Sequence, residues 1–308
     1  MITPPERRLL IYIPTYNRFD KVMAQIRHIE AVILGTGHHL HVSDNCSTDA
    51  RYQTLAEQVN PATTTVTRQP VNVGPDINMI SGFLHSGGYD YFWLLSDDDM
   101  LLSDGVAQVL QLLATDPEMI YLRDTGFVQE LTVETLDQNA LLSIVNQGLG
   151  LISRVIYHTG YFLPYVKFGF EYLKSSFPHL ATQFAAVGDR GTVKIASYPC
   201  DRVFVDEPLT PASSPLFHSI YYGVTLADLI RDPRTREQFI LERVVGKDAR
   251  GAIVFRDTHE DDYRQLLGYL RVKSFRAWMT MLMTSLLVSG YRAIGGPALK
   301  RKLMGSDR

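Results

Sequence analysis

Cysteine is scarce. The chain has two in 308 residues, Cys46 and Cys200. That is too few for a disulfide framework and fits a reducing compartment. Charge of one sign is also scarce. The net charge is −3, so no basic field marks a nucleic-acid partner. The N-terminus, MITPPERRLL, lacks the long apolar core of a signal peptide. Ala277 to Tyr291 carries no charge, but its fifteen residues fall short of the roughly 20 that a spanning helix needs. Glycine-rich phosphate loops are missing too. The first strand runs into PTYNR, with neither GxGxxG nor GxxxxGK[ST], which weighs against dinucleotide-binding and P-loop classes.

What is present starts with apolar content. Hydrophobic residues make up 45% of the chain, enough for a core and against disorder. The length suits one large domain or two modest ones. Tyr91 to Met100 reads YFWLLSDDDM. Tyr91 to Leu95 predicts a buried strand. It stops at three consecutive carboxylates, Asp97, Asp98 and Asp99. Acids that end a buried strand sit at the carboxyl edge of a sheet, where open α/β sheets bind ligands. Three like charges repel unless a cation lies among them, and hard carboxylate oxygens favour Mg²⁺ or Mn²⁺. Taken alone, the stretch also reads as an acidic helix start, with Ser103 and Asp104 following.

Strands and helices alternate before and after it. Leu9 to Ile13 predicts strand one. Val22, Ile26, Ile29 and Ile33 predict a helix, which Gly35 and Gly37 end. Leu40 to Val42 is strand two, Ala50 to Val59 a second helix, and Thr63 to Thr67 a third strand. A helix over Ile77 to His85 leads to the aspartate strand. Val106 to Leu113 is helical, and Met119 to Leu122 is another strand. This alternation predicts an α/β fold, a mostly parallel sheet with helices on both faces. Three loops, PTYNR, SDNCSTD and SDDD, then emerge on one carboxyl edge. Each alone reads as an ordinary turn or helix cap. Arg18 adds a fixed cation suited to phosphate.

IPTYNR, VSDNCSTD, the NVG turn and LLSDDD, in this order, resemble the nucleotide-binding half of family 2 glycosyltransferases with the Rossmann-like GT-A fold. The resemblance covers about residues 8 to 125. The second motif commonly reads DDGSTD; here Ser43 replaces its first Asp, and Asp44 keeps the second. The resemblance implies that Pro14, Thr15 and Tyr16 line the nucleotide, with Arg18 nearby. Asp44 accepts a hydrogen bond from the base. Asn72 and Gly74 shape the pocket wall, and Asn78 matches an asparagine often found there. Asp97 reaches the ribose or metal-bound water, Asp98 belongs to the same donor site, and Asp99 ligates Mn²⁺ or Mg²⁺ on the diphosphate. The metal acts as a Lewis acid on a departing nucleoside diphosphate.

Residues 1–125 are thus expected to form the nucleotide-sugar half, 126–225 the acceptor half, and 226–308 a helical extension. Leu136 to Leu149 predicts a helix and Leu151 to Tyr157 a strand. Val193 to Ala196 and Val203 to Val205 predict two more strands. Family members commonly carry an ED pair here, whose Asp is the base. This chain has FPHL instead, with Pro178 and His179, similar to segments in some bacterial surface-polysaccharide transferases of the abequosyltransferase-like type. His179 has a suitable intrinsic pKa for a general base; Glu171 and Asp189 are rivals. His218 falls where some GT-A enzymes place a metal-binding histidine; it also reads as a surface histidine at a helix start.

The reading that results is an inverting, metal-dependent glycosyltransferase. It takes a nucleotide-sugar donor and a lipid-linked or oligosaccharide acceptor, for an O-antigen-like polysaccharide at the cytoplasmic membrane face. The alternatives are a nucleotidyltransferase or a catalytically silent sugar-binding protein of the same fold. From Arg264 onward nine Lys/Arg face one acid, a charge of +8, which leaves −11 for residues 1–263. Basic flanks around Ala277 to Tyr291 fit a helix lying on an anionic membrane surface; a buried core helix or an oligomer contact is the alternative. At low salt the protein is expected to sediment with anionic vesicles and not with neutral ones. Equal recovery in both supernatants would favour the core helix.

Overall fold

A computed structural model describes residues 8–144, 150–175, 177–205, 223–245 and 260–283. The chain divides into two compact units, Met1–Pro211 and Ala212–Arg308.

The first unit is built on an eight-stranded sheet in the order β3-β2-β1-β4-β7-β5-β8-β6. The strands are β1 (Leu9–Thr15), β2 (His39–Asp44), β3 (Thr64–Arg68), β4 (Tyr91–Leu94), β5 (Met119–Arg123), β6 (Thr132–Asp137), β7 (Val155–His158) and β8 (Thr192–Pro199). β3, β2, β1 and β4 pair in parallel, as do β5 and β8. β7 pairs antiparallel with both β4 and β5, and β6 antiparallel with β8. Six strands therefore point one way, and β7 and β6 run against them. The central strands are buried on both faces, which is why LLIYI and YFWLL read as continuous apolar runs.

The helices follow the apolar spacing. α1 (Phe19–Ile33) buries Val22, Ile26, Ile29 and Ile33, one stripe of a 3.6-residue period. α2 (Pro75–His85) begins with a proline, whose missing N–H costs nothing in a first turn. α3 (Gly105–Leu113), α4 (Gln138–Ser143), α5 (Thr159–Phe162), α6 (Val166–Glu171) and α7 (Pro178–Arg190) complete the unit.

Four expectations change. Ala50–Glu57 is a 3₁₀ helix, not an α-helix. Leu136 lies in β6, and the helix starts only at Gln138, where the Asp137 carboxylate accepts the Ala140 N–H at 2.8 Å. β6 is an edge strand exposed along most of its length, so it carries no apolar signal. Leu151 to Tyr157 is a strand only from Val155; Ile152–Arg154 forms a 3₁₀ turn. Its Ser153 carbonyl accepts the buried Trp93 indole N–H at 2.8 Å. Val203 to Val205 makes only an isolated bridge, Phe204 to Leu101.

In the second unit, a 3₁₀ helix (Val224–Leu229), α8 (Pro233–Val245), α9 (Glu260–Lys273) and a helix over 275–283 pack around Leu226, Ile240, Leu270 and Ala277. Ala277 to Tyr291 is thus described only to residue 283, where it is helical. Among the described residues no helix is long and apolar enough to cross a membrane.

The bridge at Phe204 clamps the segment that follows the aspartates. The Val203 carbonyl accepts the Leu102 N–H at 2.9 Å, and Val205 N–H donates to the Met100 carbonyl at 2.8 Å. Gly105 permits this approach: a Cβ there would overlap the Val203 carbonyl oxygen, a backbone atom held in place. Gly105→Ala is expected to lower stability by about 1–3 kcal/mol, the usual range for overpacking, measured by urea denaturation.

Candidate active site

The parallel register brings the site together. Thr15, the last residue of β1, lies beside Asp44, the last of β2, which lies beside Arg68, the last of β3. The chain beyond β4 reaches the same edge and ends in Asp97, Asp98 and Asp99.

Arg18 supplies the cation that these acids need. Its Nη1 donates to Asp97 Oδ1 at 2.7 Å and to Asp98 Oδ2 at 2.8 Å. Thr15 Oγ1 donates to Asp97 Oδ2 at 2.7 Å. Tyr52 joins them, its hydroxyl 2.8 Å from Thr15 Oγ1 and accepting the Arg18 backbone N–H at 3.0 Å. Burial pushes the Asp97 carboxyl up, against the pull of Thr15 and Arg18. Burial likewise raises Asp99, which the Ser153 hydroxyl opposes. Ser96 donates its hydroxyl to Asp98, and its own N–H is held by Ser153 Oγ at 2.8 Å.

Asp44 is almost completely buried and fully engaged from the protein side. Oδ1 accepts the Ser47 N–H at 2.9 Å, and Oδ2 is paired with Arg68. Arg68 also donates to the Ser47 carbonyl at 2.7 Å. A carboxylate offers about four lone-pair sites, so two remain for a ligand. Asn17 adopts φ 56° and ties the loops together: its N–H donates to Ser47 Oγ and its Oδ1 accepts the Thr48 N–H, both at 2.8 Å.

The NVG turn closes the other side. Asn72 Oδ1 accepts the Asn45 amide at 3.0 Å and the Gly74 N–H at 2.9 Å. Gly74 sits at φ 84°, a conformation that disfavours other residues. Asn78 is buried beneath the site. Its Oδ1 accepts the Ser43 hydroxyl at 2.6 Å, and its Nδ2 donates to the Ser43 carbonyl at 3.1 Å. Pro14 pairs with Ser43 in the β1–β2 register, and Tyr16 is an exposed aromatic at the rim.

Pro14, Thr15, Tyr16, Arg18, Asp44, Asn72, Gly74, Asn78 and Asp97 to Asp99 thus share one edge. His179 does not present itself there as a base. It is buried in the first turn of α7, with Nε2 at 3.0 Å from the Gly150 carbonyl oxygen. Nδ1 is also buried and has no partner among the described residues. Burial pushes the ring down to about 4. A base must reach the proton it takes, and neither nitrogen of this ring faces solvent. Asp189 lies at the far end of α7, the end that leads into the start of β8, where it accepts the Tyr165 hydroxyl at 2.6 Å. His218 lies outside the described residues. Arg68, Tyr52 and Ser153 are the site residues that motif spacing missed. Arg68 had one signal, its position at the end of the strand beside Asp44.

A mixed α/β sheet with acidic and polar loops on one carboxyl edge is the architecture of the GT-A fold. The family model "Glycosyl transferase family 2" matches residues 10–170, and the chain belongs to that family. No curated protein matches. Among solved structures, S. aureus TarS 1–349 is similar with TM-score 0.62 at 13% identity, covering 89% of this chain and 90% of that one. TarS 1–349 in complex with UDP-GlcNAc gives 0.63 at 14%, with the same coverage. Mannosyltransferase PcManGT from Pyrobaculum calidifontis, in complex with GDP-Man and Mn²⁺, gives 0.54 at 13%, covering 94% and 88%. At these identities the likeness shows the fold.

Arg68→Met leaves the buried Asp44 charge without its partner. Stability is expected to fall by about 1–3 kcal/mol in urea denaturation. Binding of nucleoside diphosphates in calorimetric titration is expected to weaken with it.

Proposed function

We propose that the protein is an inverting glycosyltransferase that moves a sugar from a nucleoside-diphosphate donor to a lipid-linked or oligosaccharide acceptor in bacterial surface-polysaccharide synthesis. The observation that carries this reading is the Thr15–Arg18–Asp97–Asp98 cluster, beside Asp44 and Arg68 on one sheet edge. Asp44 and the NVG turn would hold the base of the nucleotide, and Thr15 with Tyr16 would flank it. Arg18, which Asp97 and Asp98 share, would offset negative charge as the diphosphate departs.

The donor set fits Mn²⁺ or Mg²⁺. Asp98 and Asp99 offer hard oxygens, and Asp98 is part exposed beside Arg18. Among the described residues no three His, Cys, Asp or Glu converge. A cation here therefore needs phosphate oxygens to complete its shell, which is common for Mg²⁺. When bound, it supplies Lewis-acid stabilisation of the leaving diphosphate.

The helical extension favours work at a membrane surface. Val272 and Phe275 are exposed on the second unit, at 81% and 67%, next to the basic residues Arg271 and Arg276. Exposed apolar groups among cations suit an anionic interface. This supports a peripheral place at the cytoplasmic face.

A thermal-shift panel of UDP-, GDP-, dTDP- and CDP-sugars, with and without Mn²⁺, tests the reading. A donor that binds the native state raises Tm by mass action. Release of free nucleoside diphosphate separates a transferase from a silent binder, and release of pyrophosphate from a nucleoside triphosphate given with a sugar 1-phosphate would show a nucleotidyltransferase instead. Asp99→Asn is expected to abolish the Mn²⁺-dependent gain in nucleotide affinity while leaving the fold intact. Unchanged affinity in calorimetric titration would remove Asp99 from the metal site.

A further inference from the structure

Among the described residues the enclosed His179 cannot serve as the base, and FPHL stands where the resemblance places the family's ED pair. A second acid stands on the same edge, Asp76, in the first turn of α2. Four residues separate Asp76 from Ile80, so the two share one face of the helix. Ile80 packs over α6 and the start of α7: a Cβ on Gly169 would overlap its side chain and lie 3.0 Å from the Pro178 carbonyl oxygen. Asn78 is about 200° round the helix from Asp76, and it bonds Ser43 on β2. α2 therefore turns Asn78 toward the donor side and Asp76 toward the elements that follow β7.

Topology puts those elements at the right edge. β7 ends at His158, opposite the start of β4. The chain returns through α5 and α6 to the carboxyl edge, where α7 begins. Asp76 lies one turn nearer that edge than Ile80. It is half-buried, and among the described residues no hydrogen bond or ion pair holds it. Lys167 and Glu171 on α6, and His179, Asp189 and Arg190 on α7, are the charged or titratable acid–base groups of these two helices with described side chains, and burial is the cause of the Asp76 shift, not any of them. The helix N-terminus favours a carboxylate at Asp76, and because no side chain pairs with it, this half-buried acid is open to a substrate.

We infer that Asp76 is the catalytic base that takes the proton of the acceptor hydroxyl, a role that rests on the glycosyl transfer proposed above. The acceptor oxygen forms its bond to the anomeric carbon as the bond from that carbon to the diphosphate oxygen breaks. The proton passes to the Asp76 carboxylate, and the electron pair leaves with the nucleoside diphosphate. Burial alone pushes the Asp76 carboxyl up to about 6, near the value that a base at neutral pH needs.

The test is release of nucleoside diphosphate from a panel of UDP-, GDP-, dTDP- and CDP-sugars with Mn²⁺, water serving as the acceptor. Asp76→Asn is expected to lower kcat about 10²- to 10⁴-fold, with calorimetric affinity for the nucleoside diphosphate within twofold of wild type. The wild type is expected to lose rate as pH falls through about 6, because the base must be ionised. The residual rate of the variant is expected to be flat there, which a structural role for Asp76 would not produce. Thermal stability should hold, since Asn removes a charge that burial opposes. Wild-type turnover with near-normal turnover in Asp76→Asn overturns the assignment alone. So does loss of turnover in Glu171→Gln with Asp76→Asn active, which gives the role to α6. A wild type that neither releases nor binds the nucleoside diphosphate of any donor in the panel overturns the glycosyl transfer as well.

Discussion

Arg18 is the cation on which the acidic edge depends. β4 is buried on all four of its residues and delivers three carboxylates within three positions. Without a counter-charge, burial and mutual repulsion would push protons onto them. Arg18 answers from the turn after β1, with one nitrogen to Asp97 and Asp98 together. Thr15, the last residue of β1, takes the other oxygen of Asp97. The first and third loops are thus joined through charge, and the second is tied to the first through Asn17. An ion pair whose Arg18 side chain is about half exposed is weak evidence for stability, because solvent screens it. Its worth here is position: each carboxylate is held in one orientation at the mouth of the site.

The sheet explains why most of this was readable. Strands buried on both faces must be apolar throughout, so the central strands announce themselves and their polar termini mark the edge. The convergence of Thr15, Asp44 and the aspartates on that edge follows. What could not be read has specific causes. β6 is exposed, so Thr132 to Asp137 shows no apolar face. β7 inserts antiparallel between β4 and β5, a choice made by pairing partners far away in the chain. Arg68 is one residue at a strand end, with no periodicity to single it out, although it neutralises the most buried acid of the site.

His179 misled for a physical reason. A polar residue in the first turn of a helix, just after proline, usually lies at a surface. α7 is different: Pro178 to Gly188 are buried without a break. A helix enclosed on every side gives the sequence no stripe from which to tell the inner face from the outer. Its histidine is neutral, and its Nε2 is 3.0 Å from the carbonyl of Gly150. The local motif therefore gave no sign that its histidine is enclosed.

α2 then takes on a double role that its sequence encodes in three positions. Gly74 turns the chain at positive φ, Asn78 locks the helix to β2 through both its amide atoms, and Ile80 packs it onto α6 and α7. A helix fixed on two sides cannot rotate without breaking buried hydrogen bonds on one side or packing on the other. Its first turn is consequently held between the nucleotide loops and the elements that follow β7, and any side chain placed there is pre-positioned for both. The same packing limits the helix itself: Gly82 faces the Tyr12 ring so closely that any Cβ would overlap it. The Tyr12 hydroxyl donates to the Asn78 carbonyl at 2.9 Å, so β1 sets the depth of α2 as well as the place of Thr15.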